Sequence, residues 1–413
     1  MPTVVIVDAY STGRFLAPAL HKRGYDCIHV QSESLIPPIF KNSFNNADFK
    51  KNFINQDNID SILKTFDPQF VMAGTESGVE LADLIADRLN LVGNSPKLSK
   101  ARRNKFLMIE VINKAGLKTA SYHRSDKIDD ILTWQNKLSL NPIVLKPEMS
   151  GGSDHVYICH KSDEIHQAFN KIISNKNIFE KPNHYVLAQS FLNGTEYIIN
   201  TVSSFGEHYI AEIWRCHKER IKGAGYISLL EELLPFDSQA ENVTLAKYAK
   251  AVLNALEIQH GPGHLEIMLT DNGPVLIEIA ARLQGCVDPV VVAEATKGNN
   301  IVSLMLDAYL DPKEISALAN KNYELDKFIY RIFMKSAVSG TLEKAPDFNV
   351  IKELPSFGSI NCRITAGDKI KKTTDIASTL GVIHLAHSNY QQLENDYRFY
   401  RKYEAEQFQK LLC

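Results

Sequence analysis

Six cysteines stand in a chain of 413 residues with no CxxC pair among them, so spacing suggests neither a disulfide framework nor a thiolate zinc site. Cys27, Cys159, Cys216, Cys286, Cys362 and Cys413 are expected to be free thiols. An excess of one charge is also missing: 46 basic and 48 acidic side chains leave a formal net charge of −2. No global basic field would gather nucleic acid or an acidic membrane. No apolar run approaches membrane-spanning length, and Met1-Pro2-Thr3 passes into the apolar stretch Val4–Val7 without a basic leader and cleavage site. A cytoplasmic protein acting on small molecules is expected, with no nucleic-acid or membrane partner. Two phosphate-binding signatures are absent too. The glycines do not form GxGxxG and no helix opens with GK[ST], so neither an NAD-type fold nor a Walker A loop is read.

What is present is ordinary globular sequence, 44% hydrophobic and 23% charged, long enough for two or three domains. Val4–Val7, Cys27–Val30 and Phe70–Ala73 read as buried strands, and the stretches Arg14–Lys22 and Val79–Leu89 as helices. This alternation predicts a doubly wound α/β domain over residues 1–95, with Gly13 and Gly74 at strand ends where ligand contacts fall. Asn94-Ser95-Pro96 punctuates it. A basic amphipathic helix carrying Arg102, Arg103 and Lys105 is expected over Leu98–Ala115. Strands at Ile143–Lys146, Val156–Cys159 and Tyr185–Gln189, with a helix at Asp163–Ile173, then predict a compact α+β unit. Strands dominate from Glu196 to Trp214, a helix follows over Val243–Leu256, and beyond residue 316 the strand Phe328–Phe333 and the helix Tyr390–Gln409 suggest a C-terminal appendage.

Glu266 and Glu278 are the most telling residues. His264–Leu269 and Val275–Ala280 read as a hairpin joined by Asp271-Asn272-Gly273, with glycine at the left-handed position. Counting outward along an antiparallel ladder places the two glutamates opposite each other, their roots roughly 5 Å apart. Like charges so placed make sense if a hard cation such as Mg²⁺ sits between them, with phosphate oxygens completing its shell. The residues alone leave open a solvated pair at a strand edge. Lys146 ends a buried strand before Met149-Ser150-Gly151-Gly152-Ser153-Asp154-His155. A lysine beside backbone amides left accessible by small residues suits phosphate, although a Gly-Gly loop is also a common hairpin. Downstream, Val186–Tyr197 reads as strand, short connector and strand, whose free backbone groups can pair with an adenine edge or simply form a loop.

In order and spacing these segments resemble the ATP-grasp superfamily across roughly residues 1–315. The resemblance implies an α/β and α+β architecture: an N-terminal domain over 1–95, an ATP-grasp domain over 96–315 with its lid at about 116–195, and a C-terminal subdomain over 316–413. It implies roles as well. Lys105 and Lys146 would bind ATP phosphates beneath a closing loop containing Ser150, Gly151, Gly152 and Ser153. Gln189, at a position commonly held by Glu, would contact adenine with Ser190 and Leu192, and Glu196 would hold the ribose. Met268 and Leu276 would pack under the adenine ring from the face that carries the glutamates. Glu266 and Glu278 would hold Mg²⁺, with Mn²⁺ as an alternative. Arg282, four residues past Glu278, resembles the residue that stabilises an acyl-phosphate and its tetrahedral adduct. One departure stands out: Ala280 occupies a position where many ATP-grasp enzymes have Asn, so metal ligation would rest on fewer side chains or enlist another acid such as Glu231 or Glu232.

Within the superfamily the strings LKPEMSGGSDHV, GTEYIINTVSSFGEHYIAEIWRCHK, GPGHLEIMLTDNGPVLIEIAARLQG and GVIHLAHSN resemble L-amino-acid ligases, which make dipeptides. The implied reaction joins a carboxylate to an amine through an acyl-phosphate, releasing ADP and phosphate. Arg215, Glu231, Glu232 and Cys286 are candidates for the substrate side, with Glu76 beside them. Arg215 in a surface salt bridge, and His155 and His264 as packing rather than basic residues, remain open. Two rival functions share the motifs: an ATP-grasp ligase or carboxylase using another carboxylate or bicarbonate, and a nucleotide-binding regulator without catalysis. A homodimer is the expected assembly.

Overall fold

The apolar run at the N-terminus forms β1 (Thr3–Val7), the inner strand of a parallel sheet with β2 (Asp26–Gln31), β3 (Lys51–Ile54) and β4 (Pro68–Ala73) in the order β3-β2-β1-β4. Every residue of β1 is buried, as a parallel strand covered on both faces requires. This computed structural model describes residues 1–221, 225–236, 240–362, 364–376 and 378–410, so Cys413 lies outside the described residues. The loops at the carboxyl ends of β1 and β4 touch through their backbones. A Cβ on Gly13 would lie 2.3 Å from the carbonyl oxygen of Gly74, and one on Gly74 would lie 2.5 Å from that of Asp8. Both glycines are required by close approach rather than by backbone angle.

The basic helix is shorter than the sequence pattern suggests, running only over Lys105–Lys114. Asn104 starts it by accepting hydrogen bonds from the Phe106 and Leu107 N–H groups. Arg102 is consequently not part of a solvated basic face. It is fully buried, paired with Asp83 at 2.9 Å, and donates to the Ser95, Leu256 and Glu257 carbonyls. One side chain thereby ties the N-terminal unit to the end of the helix Ala240–Ala255.

Residues 122–190 build an antiparallel sheet from β5 (Tyr122–Ser125), β6 (Ile143–Pro147), β7 (Tyr157–Cys159) and β8 (Val186–Ser190), in the order β5-β8-β6-β7. Helices Ile128–Leu138 and Ser162–Ser174 cover it. Ile131, Ile143, Leu145, Ile165, Ile172 and Val186 form a core of its own. Beyond it lie β9 (Thr195–Ser204), β10 (Glu207–Ile221), β11 (Gly225–Leu233), β12 (Gly261–Thr270), β13 (Gly273–Ala280), β14 (Phe328–Phe333), β15 (Gly340–Thr341), β16 (Phe357–Cys362), β17 (Lys369–Ile370) and β18 (Gly381–His387). All but the β15–β17 ribbon join one eight-stranded sheet, ordered β13-β12-β9-β10-β11-β14-β18-β16. The chain beyond residue 316 therefore extends the sheet that carries the glutamate hairpin. Its terminal helix, Tyr390–Lys410, packs over that extension through Leu393 and Tyr400.

Because backbone atoms cannot withdraw as a flexible side chain can, Gly13→Ala is expected to destabilise the protein by about 2 kcal/mol or more. Chemical denaturation of the variant beside wild type measures this.

Candidate active site

β12 and β13 place Glu266 opposite Glu278, as the sequence predicts, but by a different path. The turn holds two residues, Asp271 and Asn272, with Thr270 facing Gly273, whose φ of +99° places it in the left-handed region. Leu276 then pairs with Ile267, and an irregularity between Ile267 and Glu266 leaves Ile277 over before the glutamates meet. This extra residue turns Leu276 away from the expected face. Leu276 packs with Leu265, Ile267 and Ile279 in the main core, 3% exposed, and its N–H donates to the Tyr248 hydroxyl. Met268 stays outside that core, paired with Glu196 on the adjoining strand.

Cations converge on the two glutamates from separate elements. Lys105, first residue of its helix, reaches Glu278 at 2.9 Å and donates to the Ser150 carbonyl. Lys146, in β6, is 5% exposed. Lys218, in β10, pairs with Glu196 at 2.5 Å. Three carboxylates (Glu196, Glu266 and Glu278) thus share the site with Lys105, Lys146, Lys218 and Arg282, which lie within their electrostatic reach. Arg282 is itself paired with Glu76, so the charges gathered here balance. Lys218 was not singled out from sequence. Only the pairing of β9 with β10 brings it beside Glu196.

The electrostatics follow. Burial raises the Glu266 pKa and the charge of Glu278 raises it further. Burial also pushes Glu278 upward, but Lys105 together with Lys146 and Arg282 outweighs this and holds it below the usual carboxylate range. The Glu266 side chain is 32% exposed, an opening toward the cleft rather than bulk solvent. Among the described residues its carboxylate accepts no hydrogen bond and meets only the His264 imidazole, at 3.7 Å. An ionised group facing another with no donor is the arrangement a divalent cation completes, so the residues present fit Mg²⁺. No third ligand joins them: among the described residues no group of three or more acids, histidines or cysteines could hold a metal. Glu231 is committed to buried Arg331, which donates to it from Nε at 2.6 Å. Glu232 pairs with His217 at 2.9 Å and with Arg215 at 4.0 Å. Burial and then the nearby Arg282 hold His264 neutral, with its Nδ1 3.1 Å from the Asn200 side-chain oxygen. The His155 ring is likewise bonded to the Tyr157 hydroxyl.

The loop after β6 is built to expose its backbone. Gly152, Ser153 and His155 have φ of +64°, +60° and +52°. Asp154 organises it by accepting from the Ser150 hydroxyl at 2.6 Å and from the Ile178 N–H at 3.0 Å. At the connector between β8 and β9, Gln189 is buried while Ser190 and Leu192 are half-buried. The Leu192 N–H donates to no acceptor among the described residues. On the other side of the glutamates, Arg282 donates from Nε to Glu76 at 3.1 Å and from Nη1 to the Leu283 carbonyl. Cys286 has a left-handed φ of +58° and an exposed side chain. Its thiol pKa is nonetheless raised, first by surrounding protein, the condition of a cleft wall. A cavity of about 1050 Å³ opens between the strand ends at Asp8, Ser32 and Ser77 and the lid segment from Lys176 to Tyr185, with Arg103 at its floor.

A family model described as ATP-grasp domain matches residues 139–289, the span holding Lys146, the loop, the connector, both glutamates and Arg282. Dapdiamide A synthase of Enterobacter agglomerans is 33% identical over 388 residues, covering 92% of this chain and 90% of that protein. The L-arginine-specific L-amino acid ligase of Bacillus subtilis is 24% identical over 228 residues, 54% of each chain. In fold the chain is similar to the crystal structure of an L-amino acid ligase from Bacillus licheniformis, with a TM-score of 0.76, 20% identity, and 98% and 97% of the two chains covered.

Lys146 offers a pH test. Burial, then the charge of Lys105, pull its pKa down to about 8 from an ordinary 10.5. Above pH 8 the unfolded chain holds this proton more firmly than the native state, so the lysine's penalty on stability fades as pH rises toward 10.5. Bound phosphates favour the charged form. Binding of a non-hydrolysable ATP analogue should therefore take up a proton above pH 8 and weaken as pH rises. Calorimetry in buffers of different ionisation enthalpy measures the uptake, which is expected to vanish in Lys146→Met.

Proposed function

Because the chain belongs to the ATP-grasp family of carboxylate–amine ligases, we propose that it is a peptide synthase that uses ATP to join two L-amino acids by an amide bond. The observation that carries this reading is the Glu266–Glu278 pair, two facing carboxylates of which, among the described residues, only Glu278 has a lysine bonded to it. The site suits a nucleotide triphosphate and a divalent cation better than it suits a structural salt-bridge network.

In this reading the adenine edge meets the connector at Gln189, Ser190 and Leu192, above Met268, and Glu196 accepts from the ribose hydroxyls. Lys105 and Lys146 grip the phosphates beneath the backbone of Ser150–Ser153. Mg²⁺, held by Glu266 and Glu278, supplies charge neutralisation at the terminal phosphates when bound. A substrate carboxylate oxygen then bonds to the γ-phosphorus as the bond to the β,γ-bridging oxygen breaks, giving an acyl-phosphate and ADP. Arg282 offsets the charge gathered on the transferred group and on the adduct that follows. The amine of the second amino acid attacks the acyl carbon and the C–O bond to phosphate breaks. The nitrogen loses its proton, leaving the amide and inorganic phosphate. No protein nucleophile takes part. Positioning and electrostatics carry the rate, while the lid keeps water from the intermediate. Cys286, Arg215, Glu231 and Glu232 lie toward the substrate side, Glu231 with its charge already balanced by Arg331.

A phosphate-release screen over pairs of free amino acids with ATP and Mg²⁺ tests the reading. Turnover is expected with particular pairs, with ADP formed, and Glu278→Gln should lower it about a hundredfold or more while the protein stays folded. A carboxylate labelled with heavy oxygen should hand one labelled atom to inorganic phosphate. Label in AMP with pyrophosphate released would refute the acyl-phosphate route, and turnover that requires bicarbonate would move the protein to the carboxylases.

A further inference from the structure

Glu76 stands between two arginines from distant parts of the chain. Arg282 Nε donates to its Oε2 at 3.1 Å, while Arg103 Nε lies 3.8 Å from its Oε1. That second separation is too long for a hydrogen bond, and Arg103 Nε is buried with no hydrogen-bond partner among the described residues. Arg103 is otherwise anchored by Nη1, which donates to Glu80 at 3.0 Å.

The same arginine touches the lid. Its guanidinium carbon lies 5.9 Å from the ring centre of Phe179, whose ring is 6.3 Å from that of Phe40 in the N-terminal unit. Lys181 adds a pair with Glu33 at 3.0 Å across the same gap. The segment bearing Phe179 is fastened to the phosphate loop: Ile178 N–H donates to Asp154, and the Asn177 amide donates to the Met149 carbonyl at 2.6 Å. The loop and the segment bearing Phe179 are thus joined by hydrogen bonds, and Phe179 faces Arg103.

We propose that Glu76 is a positioning residue: it clamps Arg282 until the lid closes, and Arg103, pressed inward by Phe179, then takes the carboxylate over and frees Arg282 for the reacting phosphate. Closing the 3.8 Å gap would give the orphaned Arg103 Nε a charge-assisted hydrogen bond, offsetting what Glu76 loses on leaving Arg282. The clamp keeps the cation that promotes acyl-phosphate chemistry engaged elsewhere while water still has access. It rests on the role given above to Arg282, and it concerns timing rather than the identity of the substrates.

The test is suppression. Amide formation and phosphate release are measured for wild type, Phe179→Ala, Arg103→Ala, Glu76→Gln and the two double variants containing Glu76→Gln. Loss of the Phe179–Arg103 contact should lower kcat about fivefold, with KM for ATP changed less than about twofold. Glu76→Gln, which releases Arg282 early, should raise the phosphate released per amide made, and it should restore kcat in both double variants. A structural defect would not be cured by a second substitution. Phe179→Trp, which keeps an aromatic face, should retain wild-type kcat. Should Arg103→Ala fold poorly, as judged by thermal unfolding, the half-exposed Phe179 carries the test by itself. Losses that add in the double variants overturn the clamp. No amino-acid-dependent phosphate release from wild type removes the ligase reading and the clamp with it.

Discussion

Two like charges facing each other across a hairpin are the constraint around which the site is arranged. Two carboxylates held on facing strands repel each other, and while both are ionised neither can donate a hydrogen bond to the other. The chain answers with lysines from three elements: Lys105 at a helix start, Lys146 in the lid sheet and Lys218 in the strand two places away from the hairpin. They leave the pair asymmetric. Glu278 is neutralised by Lys105, whereas Glu266 keeps a raised affinity for protons and for any other cation.

Those cations come from separately packed parts of the chain. Lys146 belongs to the sheet with its own core and its own pair of helices. It is buried beside Lys105 and, among the described residues, no carboxylate is bonded to it; burial and then the Lys105 charge loosen its proton. A triphosphate relieves that cost, so binding nucleotide and drawing the lid inward are favoured by the same charge. On the N-terminal side, Glu76 and Arg103 link the lid to Arg282 through ordinary side-chain contacts. The backbone approach at Gly13 and Gly74 keeps the strand ends that carry Glu76 close together.

The residues beyond 316 gain a function from the sheet they extend. β14 brings Arg331, fully buried, against Glu231 and over the Trp214 ring, its guanidinium carbon 4.4 Å from the ring centre. The far end of the chain thus neutralises an acid in the middle of it.

Local pattern by itself determined much of this protein. The parallel N-terminal strands and the strand Phe328–Phe333 follow from short-range hydrophobic period, whereas Glu266 meets Glu278 through a two-residue turn and an extra residue at Ile277 that local pattern does not show. Where an element depended on partners remote in sequence, local pattern misled or was silent. The basic helix is cut to Lys105–Lys114 because Arg102 is drawn into the interior by Asp83 and three carbonyls. Leu276 lies in the core because one extra residue in the ladder reverses its face, a shift decided by packing against β9 and Tyr248. Lys218, Arg331 and the Arg103–Glu76–Arg282 chain are decided only by tertiary structure. Each joins residues far apart in sequence, and a charge carries no local sign of the partner that folding will set beside it.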